Sequence, residues 1–157
     1  MATENKNLST YDKDSLPSVV GKRVGIITSQ WNGQITNNMR KGAVDTLLDC
    51  GFSPENIIEW SVPGAFELVN GAKRMIEEAV DAVIVIGCVI QGETKHFDFV
   101  CQGVTYGIAY LNATQDIPVI FCVLTDNTLQ QSIDRSGGKH GNKGIEAAIT
   151  AIQMIDL

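Results

Sequence analysis

The run from Ala82 to Ile90, AVIVIGCVI, constrains the fold more than any other segment. It carries no charged side chain, and its two alternating faces are equally apolar. A strand of that kind needs cover on both sides, which places it in the middle of a parallel sheet with helices above and below. The neighbouring segments supply that cover. Arg23 to Thr28 (RVGIIT) is short and β-branched, and Ile35 to Leu48 then sets Ile35, Met39, Ala43, Val44, Leu47 and Leu48 at helical spacing before Gly51. Ile57 to Val62 reads as a strand, Pro63-Gly64 as a turn, and Ala65 to Glu78 as a helix carrying Phe66, Val69, Ala72, Lys73 and Ile76.

After the central strand, Phe97 to Leu111 is helical in period and Pro118 ends the connection. Val119 to Thr125 is the fourth strand. Asn127 with Gln130 resembles a capping box for a helix running to about Arg135, and a glycine-rich turn and a last helix follow. Strands alternating with helices build βαβ units. The expected fold is α/β: a flavodoxin-like three-layer α/β/α sandwich with a four-stranded parallel sheet. Ligands on such sheets sit beyond the carboxyl ends of the strands, so the strand-to-helix loops are where chemistry is expected.

A chain of 157 residues is one domain long, here a polar arm over 1–19 and a folded domain over 20–157. Hydrophobic residues at 44% and charged residues at 19% describe an ordinary globule. The formal net charge of −6 argues against nucleic acid or an anionic membrane as partner, so any bound anion needs a local site. The arm lacks the apolar core of a signal peptide, and no stretch reaches the ~18 apolar residues of a membrane span, so a cytoplasmic protein is expected. Cys50, Cys88, Cys101 and Cys122 form no CxxC pair, which points to buried thiols rather than a metal site or disulfides. A Cys88 nucleophile near His96 is the lesser alternative.

The first loop, Ser29 to Gly33, holds Trp31, whose indole suits either a stacking platform or a lid over the following helix. In the second, Val62 to Glu67, Glu67 either favours a helix dipole or joins Phe66 and backbone amides in holding a polar heterocycle or a polyol. The third loop runs from Cys88 through Val89, Ile90, Gln91, Gly92, Glu93, Thr94 and Lys95 to His96. Its Gly92-Glu93-Thr94 amides lead into a helix, a cradle for one phosphate. His96 sits beside that cradle, where an imidazole can move protons near neutral pH. Asp98 either orients the imidazole or is a solvated helix charge.

Arg135 lies about 8 residues, hence about 12 Å, along a helix leading away from this edge. It reaches a neighbouring chain's pocket, or it compensates the end of its own helix. The segment Ser136 to Gly144 (SGGKHGNKG) fails the Walker spacing because no Ser or Thr follows Lys143, and His140 reads as an exposed turn residue.

Taken in order, VPGAFE, GCVIQGETKHFDFVC, PVIFCVLT and RSGGKHGNKG resemble the 6,7-dimethyl-8-ribityllumazine synthase family of riboflavin biosynthesis, over about residues 20 to 157. The resemblance implies condensation of 5-amino-6-(D-ribitylamino)uracil with 3,4-dihydroxy-2-butanone 4-phosphate, without metal or organic cofactor. By position, it implies Trp31 as the ring that stacks on the pyrimidine, and Ala65, Phe66 and Glu67 as partners of the ribityl chain. Cys88, Val89 and Ile90 would meet the uracil edge chiefly through backbone groups. Glu93 and Thr94 would hold phosphate, His96 would transfer protons, and Phe121 and Arg135 would enter from the adjacent subunit. Three positions depart from the pattern. Val69 stands where many members have proline, Glu93 where a small residue is common, and Trp31 where some have phenylalanine.

The resemblance also implies a homo-oligomer of pentamers, with an unextended GGKHGNKG turn like that of members forming an icosahedral 60-mer shell. Such a shell could enclose riboflavin synthase, and Ser18 to Val20 could add an edge strand to a neighbour. Two other readings compete with catalysis. One is a non-catalytic flavin-binding or storage shell, which would not need His96. The other is a signalling domain, for which Asp126 is a poor phosphoacceptor.

Overall fold

The computed structural model describes residue 7 and residues 9–157. Of the expected arm, residues 1–6 and 8 lie outside the described residues. The elements run β1 (Val24–Ser29), α1 (Gly33–Asp49), β2 (Ile57–Val62), α2 (Leu68–Ile76), β3 (Ala82–Ile90), α3 (His96–Thr114), β4 (Val119–Asp126), α4 (Leu129–Arg135), β5 (Ser136–Gly138), β6 (Gly141–Asn142) and α5 (Lys143–Ile155). The four long strands form one parallel sheet in the order β2-β1-β3-β4. This is the flavodoxin-like order, and its reversal point lies between β1 and β3.

Alternation along the strands divides the core into two layers. Ile26, Ile84, Ile86 and Cys122 face α1 and α5, where Met39, Leu47, Ala148 and Ile152 meet them. Ile27, Val83 and Val85 face α2 and α3, against Leu68, Met75, Val104 and Ile108. Val83, Ile84, Val85 and Ile86 are all fully buried, as a strand apolar on both faces requires. Each such side chain contributes about 1.5–3 kcal/mol by leaving water.

Three local details differ from the sequence expectation. The second helix begins at Leu68, not Ala65: residues 63–65 bend and 66–67 turn after Pro63, and the fully buried Leu68 opens the helix. Glu67 therefore stands at the helix cap rather than in its first turn. The capping box at α4 is built by Thr128 and Gln131, not Asn127 and Gln130. The Thr128 hydroxyl accepts from the Gln131 backbone N–H at 3.3 Å, and Gln131 Oε1 accepts from the Thr128 backbone N–H at 3.3 Å. The strand thus extends to Asp126, which pairs with Ile90. The glycine-rich segment is a small antiparallel hairpin, β5 with β6, rather than a plain turn. All four cysteines are unpaired, but only Cys88 and Cys122 are buried; Cys50 and Cys101 are half-buried.

Before β1, the chain crosses α1. The Tyr11 hydroxyl donates to Asp49 Oδ2 at 3.0 Å and Lys13 Nζ bonds Asp49 Oδ1 at 3.2 Å. Ser18 to Val20 forms no strand within this chain, and Val20 is exposed. No helix among the described residues is long and apolar enough to cross a membrane.

Candidate active site

The site begins where one strand outruns its neighbour. β3 pairs with β1 only as far as Ile86, opposite Thr28, while its pairing with β4 continues to Ile90. The last residues of β3 therefore present a bare backbone edge on the β1 side. In a parallel ladder a residue's N–H and C=O face the same neighbour and alternate along the strand. The Cys88 carbonyl faces the gap, where the Asn32 side-chain amide donates to it at 2.9 Å. By the same alternation Ile90 turns its N–H and C=O into the gap, and no group of the chain among the described residues occupies them. A donor next to an acceptor on rigid backbone suits the edge of a planar heterocycle.

Two loops form the walls. Trp31 donates its backbone N–H to the Pro63 carbonyl at 3.1 Å, and Gln30 donates to Val62 at 2.8 Å, so the first and second loops are tied together. Trp31 is 73% exposed and borders the cavity, so it is not a lid packed onto α1. Phe66 is also an exposed aromatic, and it is seated by a gap in α3: a Cβ at Gly103 would lie 2.6 Å from Phe66 Cε2. Glu67 is exposed and bends back over the turn, its Oε2 2.9 Å from where a Gly64 Cβ would stand. Ala65 is buried beneath them.

The third wall is the start of α3. Thr94 Oγ1 accepts from the His96 amide at 3.3 Å, and Gln91 donates its N–H to the Asp126 carbonyl at 2.9 Å. Between those bonds the amides of Gly92, Glu93, Thr94 and Lys95 have no acceptor among the described residues. They stand at the positive end of a 19-residue helix. His96 is the first residue of α3 and is exposed, and no hydrogen bond joins it to Asp98.

Together these parts enclose a cavity of about 630 Å3, bordered by Trp31, Asn32, Ala65, Phe66, Glu67, Cys88, Val89, Ile90, Thr94 and His96. Among the described residues its lining includes no Lys or Arg. Glu93 turns into solvent beside it. Two predicted residues lie elsewhere. Phe121 is half-buried on the α3 face of the edge strand β4. Arg135 ends α4, with Nη1 donating to the Gln131 carbonyl at 3.0 Å. Measured from the actual helix start at Leu129, it stands about 9 Å along the axis, and it is not among the residues that border the cavity.

Sequence reasoning missed Asn32 and the buried polar chain behind Cys88. Asn32 has φ 58 and ψ 44, the left-handed conformation that asparagine tolerates better than most residues, and it sits between an indole and a glycine. The Cys88 thiol donates to Ser132 Oγ at 3.4 Å, and the Ser132 hydroxyl donates to Asp126 Oδ2 at 2.8 Å. Burial pushes the Cys88 thiol up from its ordinary value, so it is not an activated nucleophile.

A family model described as 6,7-dimethyl-8-ribityllumazine synthase matches residues 21–157. The chain belongs to the 6,7-dimethyl-8-ribityllumazine synthase family. A protein of that name from Flavobacterium johnsoniae is 65% identical over 155 residues, covering 98% of this chain and 82% of its own length. One from Christiangramia forsetii is 58% identical over 159 residues, covering 100% of this chain and 95% of the relative. Another, from Parabacteroides distasonis, is 54% identical over 157 residues, covering 99% and 98%. As a lumazine synthase family member the chain is a transferase of riboflavin biosynthesis on a flavodoxin-like sheet. Of the four segments that carried the resemblance, two fall on the second and third loops around the cavity and two on the strand with Phe121 and the segment that starts at Arg135.

Proposed function

We propose that this chain condenses 5-amino-6-(D-ribitylamino)uracil with 3,4-dihydroxy-2-butanone 4-phosphate to 6,7-dimethyl-8-ribityllumazine, releasing phosphate and two waters, in the cavity at the end of β3. The observation that carries this reading is the bare backbone edge of Ile90 lying between two exposed aromatic rings and a helix amino terminus. The uracil edge bonds the free backbone N–H and C=O of Ile90, alongside Cys88, whose carbonyl Asn32 already holds, and Val89, whose backbone groups turn to β4 and whose side chain lines the cavity. Its face stacks on Trp31, and the ribityl chain runs along Ala65, Phe66 and Glu67. Phosphate sits on the amides at Glu93 and Thr94, beside His96.

In the reaction the uracil's primary amine attacks the ketone and the adduct loses water to give an imine. Phosphate leaves by elimination, and the resulting carbonyl closes the second ring with loss of another water. Each step moves a proton, and His96 is the group beside the phosphate able to carry it. Much of the acceleration comes from holding two substrates together, an effect that can reach about 7–11 kcal/mol.

A cavity with no Lys or Arg among the described residues that line it is incomplete for a phosphate dianion. Arg135 and Phe121 complete it from an adjacent copy, which makes the pentamer the working unit and an icosahedral 60-mer shell its further assembly, with riboflavin synthase as its guest. Residues 20–157 form the catalytic domain and 1–19 the arm. Four unpaired cysteines suit the reducing cytoplasm.

Mixing the purified protein with both substrates and following lumazine fluorescence tests the reading. Product above the uncatalysed rate supports it; none would leave a flavin-binding shell.

A further inference from the structure

Behind Cys88 lie two buried polar residues, Ser132 and Asp126, with no part in the roles assigned so far. Ser132 is fully buried, Cys88 is 2% exposed and Asp126 is 9% exposed. A carboxylate so placed costs folding energy unless it is bonded, and an apolar residue would fill the space more cheaply. Its bonds run in two directions. Through its backbone carbonyl Asp126 holds the Gln91 amide at 2.9 Å, at the point where β3 gives way to the loop bearing Thr94 and His96. Through its Oδ2 it holds the Ser132 hydroxyl at 2.8 Å, and Ser132 in turn accepts from the Cys88 thiol at 3.4 Å. Register explains the meeting: Cys122, Leu124 and Asp126 share one face of β4, and Asp126 pairs with Ile90, two residues beyond Cys88.

Ser132 also lies on the helix that ends in Arg135, three residues and about one turn further on. One short chain of bonds therefore fixes the end of β3 to α4.

We propose that Asp126 and Ser132 are positioning residues that set two parts of the catalytic machinery at once, the β3 edge that meets the pyrimidine in the chain's own cavity and the aim of Arg135 at the phosphate in the next. This rests on the shared-site reading above. Neither residue touches substrate. Loosening either one lets the Cys88–Ile90 edge and α4 drift independently, so ground-state binding of both substrates weakens while the proton chemistry at His96 persists.

The test is steady-state kinetics with each substrate varied in turn, on Ser132→Ala, Asp126→Ala, the double variant and Asp126→Asn, with the thermal midpoint measured alongside. A hydrogen bond to a carboxylate leads us to expect KM for both substrates to rise about tenfold in each alanine variant. kcat should stay within about twofold. The double variant should be no worse than either single one, since both break one connection. Asp126→Asn keeps an oxygen for Ser132 and should hold KM within about threefold of wild type. Ser132→Ala removes only a hydroxyl, so it remains measurable if Asp126→Ala fails to fold. Lowered thermal midpoints with unmoved KM values, or effects that add in the double variant, would overturn the proposal. No product from the wild-type chain would overturn the functional reading and the proposal with it, whereas active wild type with unmoved KM values in the variants overturns the proposal alone.

Discussion

The side-chain amide of Asn32 donates to the backbone carbonyl of Cys88 at 2.9 Å, across the point where β3 runs on without β1. That bond does the work of a missing strand. It holds the gap at a fixed width, leaving Ile90 open next door, and it ties the loop carrying Trp31 to the floor proposed to take the planar substrate.

Replacing Asn32 should therefore harm binding more than chemistry. Asn32→Ala loses the bond and also puts a Cβ residue without a polar side chain into the left-handed region, a cost of about 1–2 kcal/mol. Asn32→Gly loses the bond but keeps the backbone comfortable. Both should raise KM for the pyrimidine about tenfold, with Asn32→Ala alone showing a clearly lower thermal midpoint. Equal KM values in wild type and Asn32→Gly would show that the bond does not shape the site.

His96 is exposed and stands at the first position of α3, beside amides with no acceptor among the described residues. His96→Ala should lower kcat by about tenfold or more, because a positioned acid–base group contributes at least that much. Turnover should persist, since co-binding of the substrates is untouched. Wild-type kcat in the variant would remove His96 from the proton transfers.

The layering of the sheet was legible because burial leaves a direct mark on composition: AVIVIGCVI has both faces apolar, and the helices around it keep a regular period. The loops at the strand ends were legible for a different reason, since Trp31, Phe66 and His96 are unusual in solvated turns. What escaped was set by geometry that no local pattern records. The register that lets β3 overhang β1 depends on pairing across the sheet. Asn32 looks like any turn asparagine until its φ and its partner are known. Ser132 and Asp126 look like surface residues of a helix and a loop, yet they meet behind Cys88 in the interior. Pro63 delays α2 to Leu68, and Thr128 rather than Asn127 caps α4, because tertiary anchoring fixes element ends more tightly than propensity does.

Cys122 lies in the core between the sheet and α5, and burial pushes its thiol from 9.0 up to about 12. The folded chain keeps this proton after the unfolded chain has released it. The contribution of Cys122 to stability is thus fully present below pH 9.0 and is lost as pH climbs toward about 12. Denaturant titrations of wild type and Cys122→Ala should show a stability gap that narrows steadily above pH 9.0. A gap independent of pH would mean that the thiol is not held neutral by the fold.

The central claim is that each site is built by two copies of the chain, one giving the cavity with His96 and the other giving Arg135. Co-assembling His96→Ala chains with Arg135→Ala chains tests it most directly, because neighbouring variants then form some sites with both native residues. Assayed at low butanone phosphate, the mixed assemblies should turn over clearly faster than the average of the two separate variants. Activity equal to that average at every mixing ratio would mean that Arg135 does not serve the neighbouring site.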